Sequence, residues 1–210
     1  MPLLTKKQVT VSISRSTFPK MPQPSLSVAN INQHSAAAKI RYHLILTKDI
    51  QNKLLNTKVA VIGCGAQGSY ILDYLIRLGV NSIVFWDGDN YSESNLNRQL
   101  GCTEKTIGQN KAKVQYERLK EINSSTNLIV KDYYFGDNYK DYDELLKVDC
   151  IFLAADYYYN ISKIRELLRQ AILQGIPVID CPAKSFGGLI YIETKNDLGH
   201  FDYETMRSIE

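Results

Sequence analysis

Glycines at 63, 65 and 68 in the stretch VIGCGAQGSYIL have the G-x-G-x-x-G spacing of a loop that wraps a nucleotide phosphate. The chemistry of such a loop is anion binding. Backbone N–H groups and the positive end of the following helix face a charged oxygen, and glycines let it come close. Gly63, Gly65, Ala66 and Gly68 are therefore candidate nucleotide-binding positions. Asp87 lies 19 residues beyond Gly68, at the end of the next apolar run, where a carboxylate can accept hydrogen bonds from both ribose hydroxyls. Hydride transfer with a redox dinucleotide and chemistry on ATP both use these features. The segment DGDNYSESNLNRQLGCTEKTIGQNKAK, residues 87–113, separates them. It is long and polar and ends in a basic helix start, whereas a dehydrogenase normally runs straight into its next helix and strand.

The elements that must position these residues are visible from Thr57 onward, where short β-branched runs alternate with amphipathic helical stretches. That alternation is βαβ organisation. Strands are expected over 58–63, 82–86, 128–134, 150–155, 177–181 and 189–193, with helices between them. From Ser69 to Leu78, the residues Ile71, Leu72, Leu75, Ile76 and Leu78 recur at helical intervals, and Gly79 supplies a C-terminal cap. The expected fold class is α/β, a doubly wound Rossmann-like and mostly parallel sheet with helices on both faces. Residues 1–39 are rich in Ser, Thr and Gln and contain Pro2, Pro19, Pro22 and Pro24, so they are expected to form a flexible or extended N-terminal appendage. VTVSI within it has the pattern of a short strand.

With the glycine loop in this setting, the sequence resembles the ThiF/MoeB/HesA adenylyltransferases and the adenylation domains of ubiquitin-activating enzymes. The resemblance runs from about Leu54 to Ile192. It rests on SNLNRQ (94–99), directly after Asp87 and Asp89, and on GQNKAK (108–113), which places Arg98 and Lys111 thirteen residues apart. It implies that residues 40–210 form an ATP-binding adenylation domain. Members of the family use ATP and magnesium to form an acyl-adenylate on the C-terminal glycine of a ubiquitin-like or sulfur-carrier protein ending in Gly-Gly, releasing pyrophosphate.

The residues suit that reaction. Attack of a carboxylate on the α-phosphate concentrates negative charge on phosphate oxygens, so cations must be fixed against the triphosphate. Arg98 and Lys111 supply them. Asn95 and Gln99 are placed to hydrogen-bond phosphate or ribose oxygens, and Asp89 and Ser94 join Asp87 in the nucleotide-binding set. The expected magnesium ligand is Asp156, which ends the run CIFLAA at the sheet's carboxyl edge. In the family this aspartate is usually followed by Asn, whereas here Tyr157 follows. Asp149 precedes the same strand and is read as a structural turn residue at the opposite end.

RYHLIL (41–46) resembles the family's N-terminal R-Y-x-R-Q-I stretch, with Leu44 in place of the second arginine. In the family that arginine reaches across a dimer interface to the partner's ATP. Either Arg41 replaces it in a homodimer, or another subunit of a heterodimer donates one. Zinc is not expected, because Cys64, Cys102, Cys150 and Cys181 lie far apart with no C-x-x-C pair. Cys64 and Cys181 are read as small packed side chains, and Tyr157, Tyr158 and Tyr159 as packing groups beside a helix start or the lining of a groove. His34, His43 and His200 lack metal-ligand spacing.

The charge narrows the partners. The net +3 conceals seven Lys or Arg before the first acid, Asp49; removing those seven from 25 leaves 18 against 22 acids, a balance of −4 for the rest. Overall charge therefore gives no support for nucleic-acid binding, although the family includes members acting on a modified transfer RNA. No apolar run approaches the roughly 20 residues of a membrane span. A soluble, reducing, cytoplasmic setting is expected, with organellar import of the acid-poor leader as the alternative. Two rival classes are an NAD-dependent Rossmann oxidoreductase, which Arg98 and Lys111 oppose, and a non-catalytic adenylation-like subunit. Joint retention of Asp87, Arg98, Lys111 and Asp156 opposes the second.

Overall fold

The computed structural model describes residues 47–155, 161–180, 183–184, 187–188 and 190–195. The run KVAVI forms β1 (Lys58–Ile62), in which Val59 and Val61 join one apolar cluster and Ala60 and Ile62 another. A strand covered on both faces has no polar side, which explains its unbroken apolar run. Its parallel neighbours are β2 (Ser82–Trp86) and β4 (Cys150–Leu153), flanked in turn by β3 (Asn127–Lys131) and β5 (Val178–Asp180), also parallel. Beyond these, β6 (Ala183–Lys184) and β7 (Gly187–Gly188) form a two-stranded antiparallel ribbon, and β8 (Tyr191–Glu193) pairs antiparallel with β5. The main sheet has the order β3-β2-β1-β4-β5-β8.

The helices are α1 (Lys48–Asn56), α2 (Ala66–Leu78), α3 (Lys111–Ile122), α4 (Asp141–Leu145) and α5 (Ile161–Leu173). Leu72, Leu75 and Ile76 of α2 and Ala112 and Leu119 of α3 pack with Val59, Val61, Ile83 and Phe85. Leu145 of α4 and Leu168, Ala171 and Ile172 of α5 pack with Ala60, Ile62, Val84, Trp86 and Ile151. The α/β fold is thus the expected one, a mostly parallel sheet between two helical layers. Its order reverses between β1 and β4, the switch point outside which open sheets of this kind bind ligands.

Element boundaries differ from the expectation for local reasons. α2 begins at Ala66, three residues before Ser69, because its N-cap is Gly65 and no side chain marks the start. β3 ends at Lys131 instead of Tyr134: Tyr133 and Tyr134 leave the sheet and send their hydroxyls to Asp141 and Asp89. β4 ends at Leu153 because the glycine loop crosses there; a Cβ on Gly63 would lie 2.6 Å from the Ala154 carbonyl oxygen. Gly79 closes α2 in the left-handed region at φ 93°. Asp149 is structural as expected, its Oδ2 accepting from the Lys58 N–H at 2.8 Å where β1 starts. Among the described residues, no helix is long and apolar enough to cross a membrane.

Candidate nucleotide site

The three glycines of the loop have different reasons to be glycine. Gly63 has φ 96° and lies against the end of β4, and its N–H donates to the Trp86 carbonyl at 2.8 Å. A Cβ on Gly68 would fall 1.9 Å from the Gly63 carbonyl oxygen, so the first turn of α2 can sit on the loop only without one. The protein itself demands both. A Cβ on Gly65 would meet only Gln99 Nε2, at an ordinary 3.8 Å. The space in front of Gly65 therefore lies open at the N-terminus of a 13-residue helix, where amide N–H groups and the helix dipole favour an anion.

Asp87 ties this loop to β2. Its Oδ2 accepts from the Cys64 N–H at 2.7 Å and its Oδ1 from the Asp89 N–H at 2.9 Å. Burial pushes its carboxyl above the usual range, and the two amides and the Lys111 charge oppose this only in part. A carboxylate has about four acceptor sites, so capacity remains for ribose hydroxyls after these two bonds. Cys64 is fully buried, and burial followed by the Asp87 charge drives its thiol well above normal. It is an inert packing group, as expected.

Lys111, the first residue of α3, is held from two sides. Its N–H donates to the Asp89 carbonyl at 2.9 Å, and its Nζ pairs with Asp89 Oδ2 at 2.8 Å. Asn110 caps the helix by accepting from the Lys113 N–H, and its Nδ2 donates to the carbonyls of Asp87 at 3.0 Å and Asp89 at 3.3 Å. The segment 87–89 and the start of α3 are thereby fastened together. Burial raises the Asp89 carboxyl, but the hydrogen bonds from Lys111 and Tyr134 outweigh it and leave the group below the usual range.

The SNLNRQ segment begins with a single 3₁₀ turn, Glu93–Asn95. Asn95 is buried and closes a reciprocal cap with Ser92, accepting from the Ser92 N–H at 3.1 Å. This local task was not foreseen for a residue expected to face the nucleotide. The Ser94 hydroxyl lies 2.9 Å from that of Ser92, and the Ser94 carbonyl accepts from the Arg98 guanidinium at 2.7 Å. Arg98 is exposed and, among the described residues, has no carboxylate partner. Gln99 is only 8% exposed, and its Oε1 has no hydrogen-bond partner. Its Nε2 stands beside the open side of Gly65, where it can be offered to a phosphate, whereas Oε1 is turned into the interior. Leu100 holds the segment down: its N–H donates to Ser69 Oγ at 3.2 Å, and its carbonyl accepts from the Tyr91 hydroxyl and from Gln115.

Gly63, Gly65, Ala66, Gly68, Asp87, Asp89 and Lys111 thus come together at the carboxyl edge of β1 and β2, and Gln99 brings the 94–99 segment to them. Asp156, Arg41, Leu44, Cys181 and Tyr157 to Tyr159 lie outside the described residues. Among the described residues no group of three or more His, Cys, Asp or Glu could hold a metal ion. A magnesium ion keeps several waters and needs only one or two carboxylates beside substrate phosphates, so a single aspartate would fit that role. Sequence reasoning missed Asn110, Tyr134 and Gln115. Only Asn110 carried a signal, an Asn directly before a helix start.

The ThiF family model matches residues 37–203. The chain belongs to the ThiF family. The ThiF-family chain is 32% identical over 134 residues to the tRNA threonylcarbamoyladenosine dehydratase of Bacillus subtilis, covering 63% of this chain and 52% of that protein. It is 30% identical over 147 residues to the sulfur carrier protein ThiS adenylyltransferase of Escherichia coli, covering 70% and 57%. The chain therefore spans about half the length of these relatives. A crystal structure of E. coli MccB with AMPCPP and MccA superposes with a TM-score of 0.55 at 27% identity, covering 63% of this chain and 38% of that one. Family and fold thus agree with the reading from SNLNRQ and GQNKAK.

Proposed function

We propose that this ThiF-family domain transfers AMP from ATP to a carboxylate, the C-terminal glycine of a ubiquitin-like or sulfur-carrier protein ending in Gly-Gly. A carboxylate oxygen bonds to the α-phosphorus, the bond to the bridging oxygen of the β-phosphate breaks, and pyrophosphate leaves with the electron pair. The open Gly65 and the α2 N-terminus receive phosphate, Asp87 holds the ribose, and Gln99 offers its Nε2 beside the loop. Lys111 and Arg98 balance the charge that builds on the phosphate oxygens. Asp156 would hold magnesium, which when bound neutralises pyrophosphate oxygens. The observation that carries this reading is Lys111, a residue only 8% exposed whose ammonium is fixed by Asp89 beside the Asp87-anchored glycine loop. A redox dinucleotide gives no use for it.

The ThiS-adenylating relative supports a carrier protein as substrate. The B. subtilis relative, named for threonylcarbamoyladenosine in tRNA, supports a second reading in which a carbonyl on modified tRNA is activated with the same nucleotide site. The acidic balance beyond residue 48 favours the protein substrate. Within the proposal, Leu44 leaves the trans-acting arginine to Arg41 of a second copy or to a different subunit. Calorimetry with Mg-ATP and with NAD tests the nucleotide choice: Mg-ATP is expected to bind and NAD not. Tight NAD binding without ATP binding would overturn the reading.

A further inference from the structure

We propose that Tyr134 is a positioning residue of this site, acting through Asp89 to fix where the Lys111 ammonium stands against the triphosphate. The inference rests on the ATP reading above. The Tyr134 hydroxyl donates to Asp89 Oδ1 at 2.5 Å while Asp89 Oδ2 pairs with Lys111 Nζ at 2.8 Å, so the three side chains form one chain of contacts. The Asp89 backbone is pinned on both sides. Its N–H donates to Asp87 Oδ1, and its carbonyl accepts from the Lys111 N–H and from Asn110 Nδ2. What remains free is rotation of the carboxylate.

That freedom matters because the Asp89 side chain is 48% exposed. On its aspartate side the ion pair is open to water, so the pair alone orients the carboxylate only weakly. By occupying Oδ1, the tyrosine leaves Oδ2 for the lysine and selects one carboxylate orientation. By drawing on the same charge, it also weakens the competition between Asp89 and an arriving phosphate for the ammonium.

Gly88 independently indicates that the approach of Tyr134 is built in. A Cβ there would lie 2.8 Å from two atoms of the Tyr134 ring. Gly88 is not among the glycines with positive φ, so its backbone does not call for glycine. The close ring does. β3 also ends at Lys131, three residues before Tyr134, which releases the tyrosine to reach the Asp87–Asp89 segment.

The test compares wild type, Tyr134→Phe, Asp89→Ala and the double variant by calorimetry with Mg-ATP and with adenosine. Phenylalanine keeps the ring over Gly88 and removes only the hydroxyl. Loss of the hydroxyl is felt by the phosphate only through Asp89 and Lys111, so Mg-ATP binding should weaken about three- to ten-fold, the scale of one ordinary hydrogen bond. Adenosine, which has no phosphate for Lys111 to meet, should bind as before. On the Asp89→Ala background the tyrosine change should add nothing, since its route to Lys111 is gone. Unchanged Mg-ATP affinity in Tyr134→Phe, an equal loss for adenosine, or additive losses in the double variant would each overturn the inference. A wild-type protein that bound no Mg-ATP would overturn the ATP reading and this inference with it. That outcome is distinguishable because the failure appears before any substitution is made.

Discussion

Replacing Arg98 with alanine is expected to slow adenylate formation about 10²- to 10³-fold, the scale seen when one preorganised charge-stabilising donor is removed from a transition state. The fold should be untouched. Arg98 is exposed, and its two hydrogen bonds go to the Ser94 carbonyl and the Asn97 side chain within its own segment. Neither bond joins two elements of the sheet or its helical layers. Pyrophosphate exchange with the cognate substrate measures the rate, and circular dichroism with thermal melting checks the fold. Near-normal exchange in an intact Arg98→Ala protein would remove Arg98 from the site.

A change of the opposite kind is expected at Asp141, where stability is lost first. This carboxylate is fully buried and accepts four hydrogen bonds: from Trp86 Nε1 at 3.0 Å, the Tyr133 hydroxyl at 2.9 Å, the Gly136 N–H at 2.8 Å and the Asn138 N–H at 3.4 Å. Burial, together with Asp141, pushes the Tyr133 hydroxyl up to about 12, so it remains a donor at any physiological pH. Asp141→Ala strands these donors in the interior at a cost of about 3 kcal/mol or more, a large fraction of the roughly 5–15 kcal/mol that holds an ordinary domain together. Asp141→Asn should cost less, because its one carbonyl oxygen still serves Trp86 and Tyr133 while its NH₂ opposes the Gly136 N–H. Urea midpoints should therefore fall in the order wild type, Asn, Ala. An alanine variant within about 1 kcal/mol of wild type would contradict the assignment. Because Trp86 immediately precedes Asp87, this buried acid also secures the strand end from which Asp87 reaches the glycine loop.

The glycine loop, Asp87 and the alternation of strands and helices around them were legible in the sequence because each depends on local pattern. A buried parallel strand must be apolar throughout, and the loop that follows must bend sharply within a few residues. The pairing of Lys111 with Asp89 was not legible, although both residues were singled out, since they lie 22 residues apart and meet only when α3 docks against the 87–89 segment. Tyr134 and Asp141 were invisible for the same reason. Their partners, Asp89 and Trp86, are 45 and 55 residues away, and neither carries a motif. Asn95 was legible as part of SNLNRQ but not in its capping task, which depends on the backbone geometry of the turn.

The most direct test of the central claim is exchange of labelled pyrophosphate into ATP by the purified chain with magnesium, with and without a ubiquitin-like or sulfur-carrier protein ending in Gly-Gly that is encoded nearby or co-purifies. The account predicts exchange that requires the carrier's terminal carboxylate and disappears in Asp156→Ala. Exchange that persists with the carrier's C-terminal glycines removed, or that responds only to modified transfer RNA, would contradict it.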